Sequence, residues 1–229
     1  MAKLVEYRDS ATMAEGLAAL VAGELLQAVS ERGRASLAVP GGKTPKPFLR
    51  TLSGAAIDWS HIAVMLTDER VVPVTSERSN SAMVKDTLLT GRAAAARFVP
   101  FVTASGTTIE RPLTEKSLLP LDCCVLGMGV DAHIASLFPG ADGLAKAIDP
   151  TCPDDVMEMR PATESEARIS LTARVLNDAR SLHLLIAGAE KLAVLEKAQS
   201  QLGKTLDTPV RLIMSHPKLT IHYTGEVVQ

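Results

Sequence analysis

Val125-Leu-Gly-Met-Gly-Val-Asp-Ala-His-Ile-Ala-Ser-Leu-Phe-Pro-Gly140 closes an apolar run, then turns through two glycines, an acid and a histidine before a Pro-Gly stop. Residues Leu121 to Leu126 predict a strand. Gly127 and Gly129 leave the backbone free to turn, which keeps Asp131 and His133 near the strand's carboxyl end. In open α/β sheets, that end is where ligands bind. A carboxylate there can orient the imidazole, or hold a substrate hydroxyl, while the ring takes a proton from water. A lone loop histidine is more often a satisfied polar group, so this reading needs support from the rest of the chain.

The same run invites a second reading. Gly127, Gly129 and Ala132 match the dinucleotide fingerprint G-x-G-x-x-A after a strand. That fingerprint requires a long crossover helix, and Pro139-Gly140 arrives too soon for one. No clear ribose-binding acid ends a following strand either. A nicotinamide site is therefore not expected.

Working outward, strands and helices alternate. Towards the N-terminus, Leu4 to Tyr7 predicts a strand. Ala11 to Arg32 is a helix, with Met13, Leu17, Leu20, Val21, Leu25, Ala28 and Val29 near a 3.6-residue period and Gly33 as its stop. Ser36 to Val39 is a strand leading into Pro-Gly-Gly, and Pro45 to Leu52 a helix with proline at its start. Ile62 to Leu66 is a strand followed by a polar loop, Thr67 to Arg70. Ser81 to Leu89 predicts a helix, Phe98 to Val102 a strand and Ile109 to Leu118 a helix.

Beyond the central run, Asp142 to Ser165 reads as an acidic, proline-bearing excursion. Arg168 to Leu171 and Leu182 to Ala187 are strands, and Glu190 to Gln199 is a helix. Val210 to Met214 and Leu219 to Tyr223 are the last elements. Short apolar strands separated by helices give an α/β fold. The expected architecture is a mostly parallel, doubly wound, Rossmann-like sheet with helices on both faces. Residues 1–229 form a single domain, with a small C-terminal excursion.

Composition narrows the class. Hydrophobic residues make up 46% and charged residues 22% of 229, the ordinary globular range rather than that of a disordered chain. Net charge is −2 with no basic block, which argues against nucleic acid as a partner. Three cysteines, two of them adjacent at Cys123 and Cys124, suggest neither a disulfide framework nor a zinc site. The N-terminal residues lack a signal-type apolar region, and no 18-residue apolar span is evident. A cytoplasmic protein without membrane attachment is the expectation; oligomeric state is not readable.

Three further loops end predicted strands. Pro40-Gly41-Gly42-Lys43-Thr44-Pro45 precedes a helix, so its N–H groups can hold an anion, although the Walker spacing is absent. Asp68-Glu69-Arg70, with Ser79-Asn80 soon after, offers a guanidinium fork. Gly188-Ala-Glu-Lys191 puts a lysine in a first helical turn. Each alone is an ordinary turn or solvated loop; together at one sheet edge they form an anion site beside an acid and a base. His61, His183 and His222 lie before or within strands, and no His-x-x-x-His or Cys-x-x-Cys spacing points to a metal. Ser136 lacks the G-x-S-x-G setting of a nucleophile.

Those loops, in that order, resemble the 6-phosphogluconolactonase family, within the wider group that includes glucosamine-6-phosphate deaminases. The resemblance runs through Gly41–Pro45, Trp59, Asp68–Arg70, Ser79-Asn80, Gly127–Pro139, Arg168–Thr172, Gly188–Lys191 and His216-Pro217. It implies cofactor-free hydrolysis of 6-phospho-D-glucono-1,5-lactone to 6-phosphogluconate in the oxidative pentose phosphate pathway. By the same resemblance, His133 is the base that activates water and Asp131 is the acid beside it. Arg70 and Lys191 are the cations facing phosphate or oxyanion, aided by Gly42 to Thr44; Gly41, Asp68 and Asn80 belong to the same substrate edge.

Two positions depart from the family pattern: Ala132 stands where glycine is usual, and Lys43 where serine is frequent. The deaminase branch typically has Asp-Glu-Tyr where this chain has Asp68-Glu69-Arg70. After the histidine it carries Asn-Glu-Pro where this chain has Leu137-Phe138-Pro139. That missing carboxylate argues against amino-sugar chemistry. A non-catalytic sugar-phosphate sensor is the other alternative, although a sensor has no need of Asp131 and His133.

Overall fold

An Asp9 cap starts the chain's longest helix. Its carboxylate accepts from the Thr12 N–H at 2.8 Å, the Thr12 hydroxyl oxygen accepts the Asp9 N–H at 3.3 Å, and Gly33 ends the helix at φ 71°. The computed structural model describes residues 2–109, 113, 116–162, 166–200 and 204–226. In chain order the elements are β1 (Lys3–Tyr7), α1 (Ser10–Arg32), β2 (Ala35–Val39), α2 (Lys46–Ser53), β3 (Ile62–Leu66), β4 (Asp68–Arg70), α3 (Asn80–Thr87) and β5 (Arg97–Val99). There follow β6 (Cys123–Gly127), α4 (Leu144–Ala147), β7 (Val156–Met159), β8 (Arg168–Leu171), α5 (Ala173–Asn177), β9 (Leu182–Ala187), α6 (Ala189–Ser200) and β10 (Leu219–Thr224).

Seven strands form one parallel sheet in the order β1-β10-β9-β6-β2-β3-β5. Strands β2, β3 and β9 are buried along their whole length, as strands covered on both faces must be. From β2 the chain builds outward through β3 to β5; from β6 it builds the other way through β9 to β10. The winding therefore reverses between β2 and β6, and the loops leaving their carboxyl ends part to form a crevice. The parallel doubly wound sheet expected from the sequence is what forms.

Four expectations need correcting or sharpening. Residues 68–70 are not loop but strand β4, which joins β8 and β7 in a second, antiparallel sheet of order β4-β8-β7. The excursion after Gly140 thus supplies α4 and β7, and its register sets Arg70 opposite Arg168. The element expected at Val210 to Met214 is a 3₁₀ turn over Pro209–Ile213, and its Val210 N–H donates to the Ala132 carbonyl at 2.9 Å. The helix expected over 109–118 lies partly outside the described residues; within them, Lys116–Leu118 is a 3₁₀ turn. Finally, α1 is long and apolar enough by composition to cross a membrane, contrary to the expectation; here Met13, Leu17, Val21 and Leu25 bury its inner face in the core.

Candidate active site

The loops at the β2/β6 switch enclose a cavity of about 240 Å³. Its wall includes Pro40 to Pro45, Thr67, Asp68, Arg70, Asn80, Gly127 to Gly129, His133, Arg168 and Lys191. The structure therefore brings together Gly41, Gly42, Lys43, Thr44, Asp68, Arg70, Asn80, His133 and Lys191 as the sequence predicted. Asp131 is not part of the wall; it stands behind the histidine.

That pair is tightly organised. His133 Nδ1 lies 2.5 Å from Asp131 Oδ1, which also accepts the His133 backbone N–H at 3.3 Å. Burial alone would raise the Asp131 carboxyl, but the hydrogen bond and charge of His133 outweigh it and hold the group below its ordinary value. The Phe138 ring stacks on the imidazole with centroids 4.0 Å apart, fixing its plane from the other side. A Cβ on Gly129 would overlap both His133 and Asp131, so glycine is what lets the loop close on the pair. Ala132 lies between them at φ 65°, in the left-handed region.

Among the described residues, four cations line the cavity: Lys43, Arg70, Arg168 and Lys191. Arg70 Nη1 donates to the Arg78 carbonyl at 2.6 Å, and its buried Nε has no acceptor among the described residues. Burial first, then the charge of Arg168, lowers the Arg70 guanidinium from its ordinary value. Lys191 is lowered by burial as well; it sits in the first turn of α6, just after Gly188 at φ 90°. A desolvated guanidinium repelled by its arginine neighbour, beside a desolvated lysine, gains from binding an anion. The 40–45 loop adds backbone N–H groups, with Gly42 at φ 97°.

Asp68 and Asn80 face the cavity but are tied internally. Asp68 Oδ2 accepts from the Ser136 hydroxyl at 2.6 Å and lies 3.8 Å from Arg168 Nη1, while Oδ1 accepts from Thr67 at 3.2 Å. Asn80 Nδ2 donates to the Asp68 carbonyl at 2.9 Å, in space that a Cβ on Gly41 would overlap. Sequence reasoning missed Arg168, Phe138 and Glu69 as parts of the site. The buried Glu69 carboxylate accepts the N–H groups of Arg70 and Asn80 at 2.8 Å and of Ser81 at 2.7 Å, fixing the strand that carries Arg70 to the start of α3. Arg168 did carry a signal: it opens a strand of mainly apolar residues and lies in the Arg168–Thr172 stretch of the resemblance.

The arrangement can bind a phosphate, activate water with an acid-backed imidazole, and stabilise a developing oxyanion. A curated protein of Rhizobium meliloti (strain 1021) named 6-phosphogluconolactonase is 43% identical over 213 residues, 91% of each chain. One from Pseudomonas aeruginosa with the same name is 41% identical, covering 95% of this chain and 92% of that one. The crystal structure of a 6-phosphogluconolactonase from Shewanella baltica OS155 superposes with a TM-score of 0.89 at 29% identity, covering 98% of both chains. Residues 8–221 match the family described as glucosamine-6-phosphate isomerases/6-phosphogluconolactonase, and the chain belongs to that family.

Proposed function

We propose that this chain is a cytoplasmic 6-phosphogluconolactonase acting as one domain over residues 1–229. It hydrolyses 6-phospho-D-glucono-1,5-lactone to 6-phospho-D-gluconate in the oxidative pentose phosphate pathway. Curated relatives bearing that name over more than nine-tenths of this chain support the reading. So does one observation that separates it from the deaminase branch. At position 138, where that branch carries a carboxylate, this chain places a phenyl ring stacked on His133.

In this reading Asp131 occupies Nδ1 of His133, leaving Nε2 to take a proton from water as it attacks the lactone carbonyl. The tetrahedral intermediate collapses by breaking the bond to the ring oxygen, which receives that proton from the imidazolium. Arg70, Arg168 and Lys191 divide two tasks, gripping the 6-phosphate with the Gly42–Thr44 loop and facing the oxyanion. No cofactor takes part.

The test is acid release from freshly prepared lactone above the spontaneous rate. His133→Asn should lower kcat by roughly 10²–10⁴-fold, the usual contribution of a positioned base, with its melting temperature unchanged. Wild-type turnover in that variant would remove the base from His133. Binding of 6-phosphogluconate with no turnover by the wild type would favour the sensor. Ammonia release from glucosamine 6-phosphate would favour the deaminase.

A further inference from the structure

Three side chains far apart in sequence meet at the amino edge of the sheet, opposite the His133 cavity. Ligand atoms of Glu24 on α1, Cys123 at the start of β6 and His183 on β9 lie within 4.8 Å of one another. Glu24 Oε2 is 3.0 Å from His183 Nε2, and the Ser181 hydroxyl is 2.6 Å from Glu24 Oε1 and 3.1 Å from His183 Nε2. Cys123 and His183 are fully enclosed, whereas Glu24 and Ser181 also line a cavity of about 570 Å³.

We propose that Glu24, Cys123 and His183 form a binding site for a zinc-class divalent cation. The Ser181 hydroxyl, or a water from the cavity, fills the fourth position. With metal–ligand lengths of about 2.0–2.3 Å, donors of a tetrahedral site lie roughly 3.3–3.8 Å apart, and small side-chain shifts bring these three to that spacing. Thiolate and imidazole select a zinc-class ion over magnesium or calcium. One thiolate and one carboxylate also neutralise a dication, so the buried site carries no net charge.

The surroundings supply an entry and an outer shell. The cavity beside Glu24 and Ser181 gives the ion a path in. Behind His183, Nδ1 lies 3.1 Å from His222 Nε2, and His222 Nδ1 lies 2.9 Å from the Tyr7 hydroxyl. Without the ion, protons can run from Tyr7 through His222 and His183 to Glu24. With it, His183 Nε2 offers its lone pair to the metal and Nδ1–H donates to His222, which in turn donates to the Tyr7 oxygen. The Cys123 thiol proton leaves to solvent, so each ion bound releases one proton.

Cys123 and Gly127 mark opposite ends of β6, roughly 13 Å apart at about 3.3 Å per residue. The ion would tie α1 to the sheet and take no part in hydrolysis, so the proposal stands or falls separately from the lactonase reading. The test strips the whole chain with a chelator and reloads it with cobalt(II). The wild type should keep one cobalt per chain through gel filtration and show a thiolate-to-cobalt charge-transfer band. Cys123→Ser should lose that band and bind at least ~10-fold more weakly, while hydrolysing lactone at the wild-type rate. His133→Asn should keep the band. A wild type without the band overturns the site whatever the variants do. So does an undiminished band in Cys123→Ser, or its loss in His133→Asn.

Discussion

Ala132 carries the conformational tension of the Gly129–Ala135 loop. It is buried at φ 65°, and its own N–H and C=O are committed to Gly129 and Val210. A left-handed conformation costs an alanine about 1–2 kcal/mol relative to glycine. Its methyl, however, returns about 0.8 kcal/mol through burial, and glycine would add about 0.4–1 kcal/mol of unfolded-chain entropy. The effects nearly cancel, which explains how alanine can stand where the family usually has glycine. Ala132→Gly should therefore shift the melting temperature by less than about 3 °C. Ala132→Val adds a branched side chain at positive φ in a filled space; it should cost at least about 2 kcal/mol, a drop of about 4 °C or more. Thermal melts of the two variants check both; a valine tolerated like glycine would contradict the left-handed geometry. At this scale the sequence was informative, because Asp131 and His133 are two residues apart and their pairing is local. Ala132 stands where the family usually has glycine, and the structure gives it a positive φ.

Elements decide which cations meet. Strand β4 is only Asp-Glu-Arg, with no apolar alternation to mark it, yet Asp68 and Glu69 are buried and its register sets Arg70 against Arg168. Tertiary pairing with β8 overrides composition there, so pattern reading found the strand at Arg168 to Leu171 but neither its antiparallel partner β4 nor the place of Arg168 in the cavity. The parallel strands were legible for the opposite reason: burial on both faces makes each a continuous apolar run. Arg168 also lies with its guanidinium 5.1 Å from the Phe138 ring centroid, linking the cation cluster to the histidine stack. Arg168→Met keeps much of the side chain's length and removes the charge. Losing one charge-assisted contact, worth about 1.5–3 kcal/mol, should raise KM for the lactone by roughly 10–100-fold. Calorimetric titration with 6-phosphogluconate should show a parallel loss. A fall in kcat with KM unchanged would instead assign Arg168 to the oxyanion.

Over the whole molecule, the half of the sheet from β1 to β6 is tied by polar groups that sequence spacing could not bring together. Tyr7, His222, His183, Glu24 and Ser181 come from both ends and the middle of the chain, and they hold α1, β1, β10 and β9 in one buried chain of contacts. This linkage makes stability depend on acid. Burial first, then the charge of His183, pushes His222 down to about 3; Glu24 opposes this and Lys3 adds to it. The unfolded chain takes up that proton near the ordinary histidine value of about 6.5. Because the folded value is the lower one, the unfolded state binds more protons between these limits, and stability falls as pH drops from about 6.5 to about 3. Full stability from this group is retained above that range. By pH 4.5 it should have removed about 2–3 kcal/mol, at 1.36 kcal/mol per unit. Urea midpoints at pH 7 and pH 4.5, with a chelator present, measure the loss. In His222→Gln this part of the slope should be missing, and because each variant is compared with itself, any general weakening of the core drops out. An unchanged slope would mean that His222 takes up its proton in the folded protein as easily as in the unfolded chain.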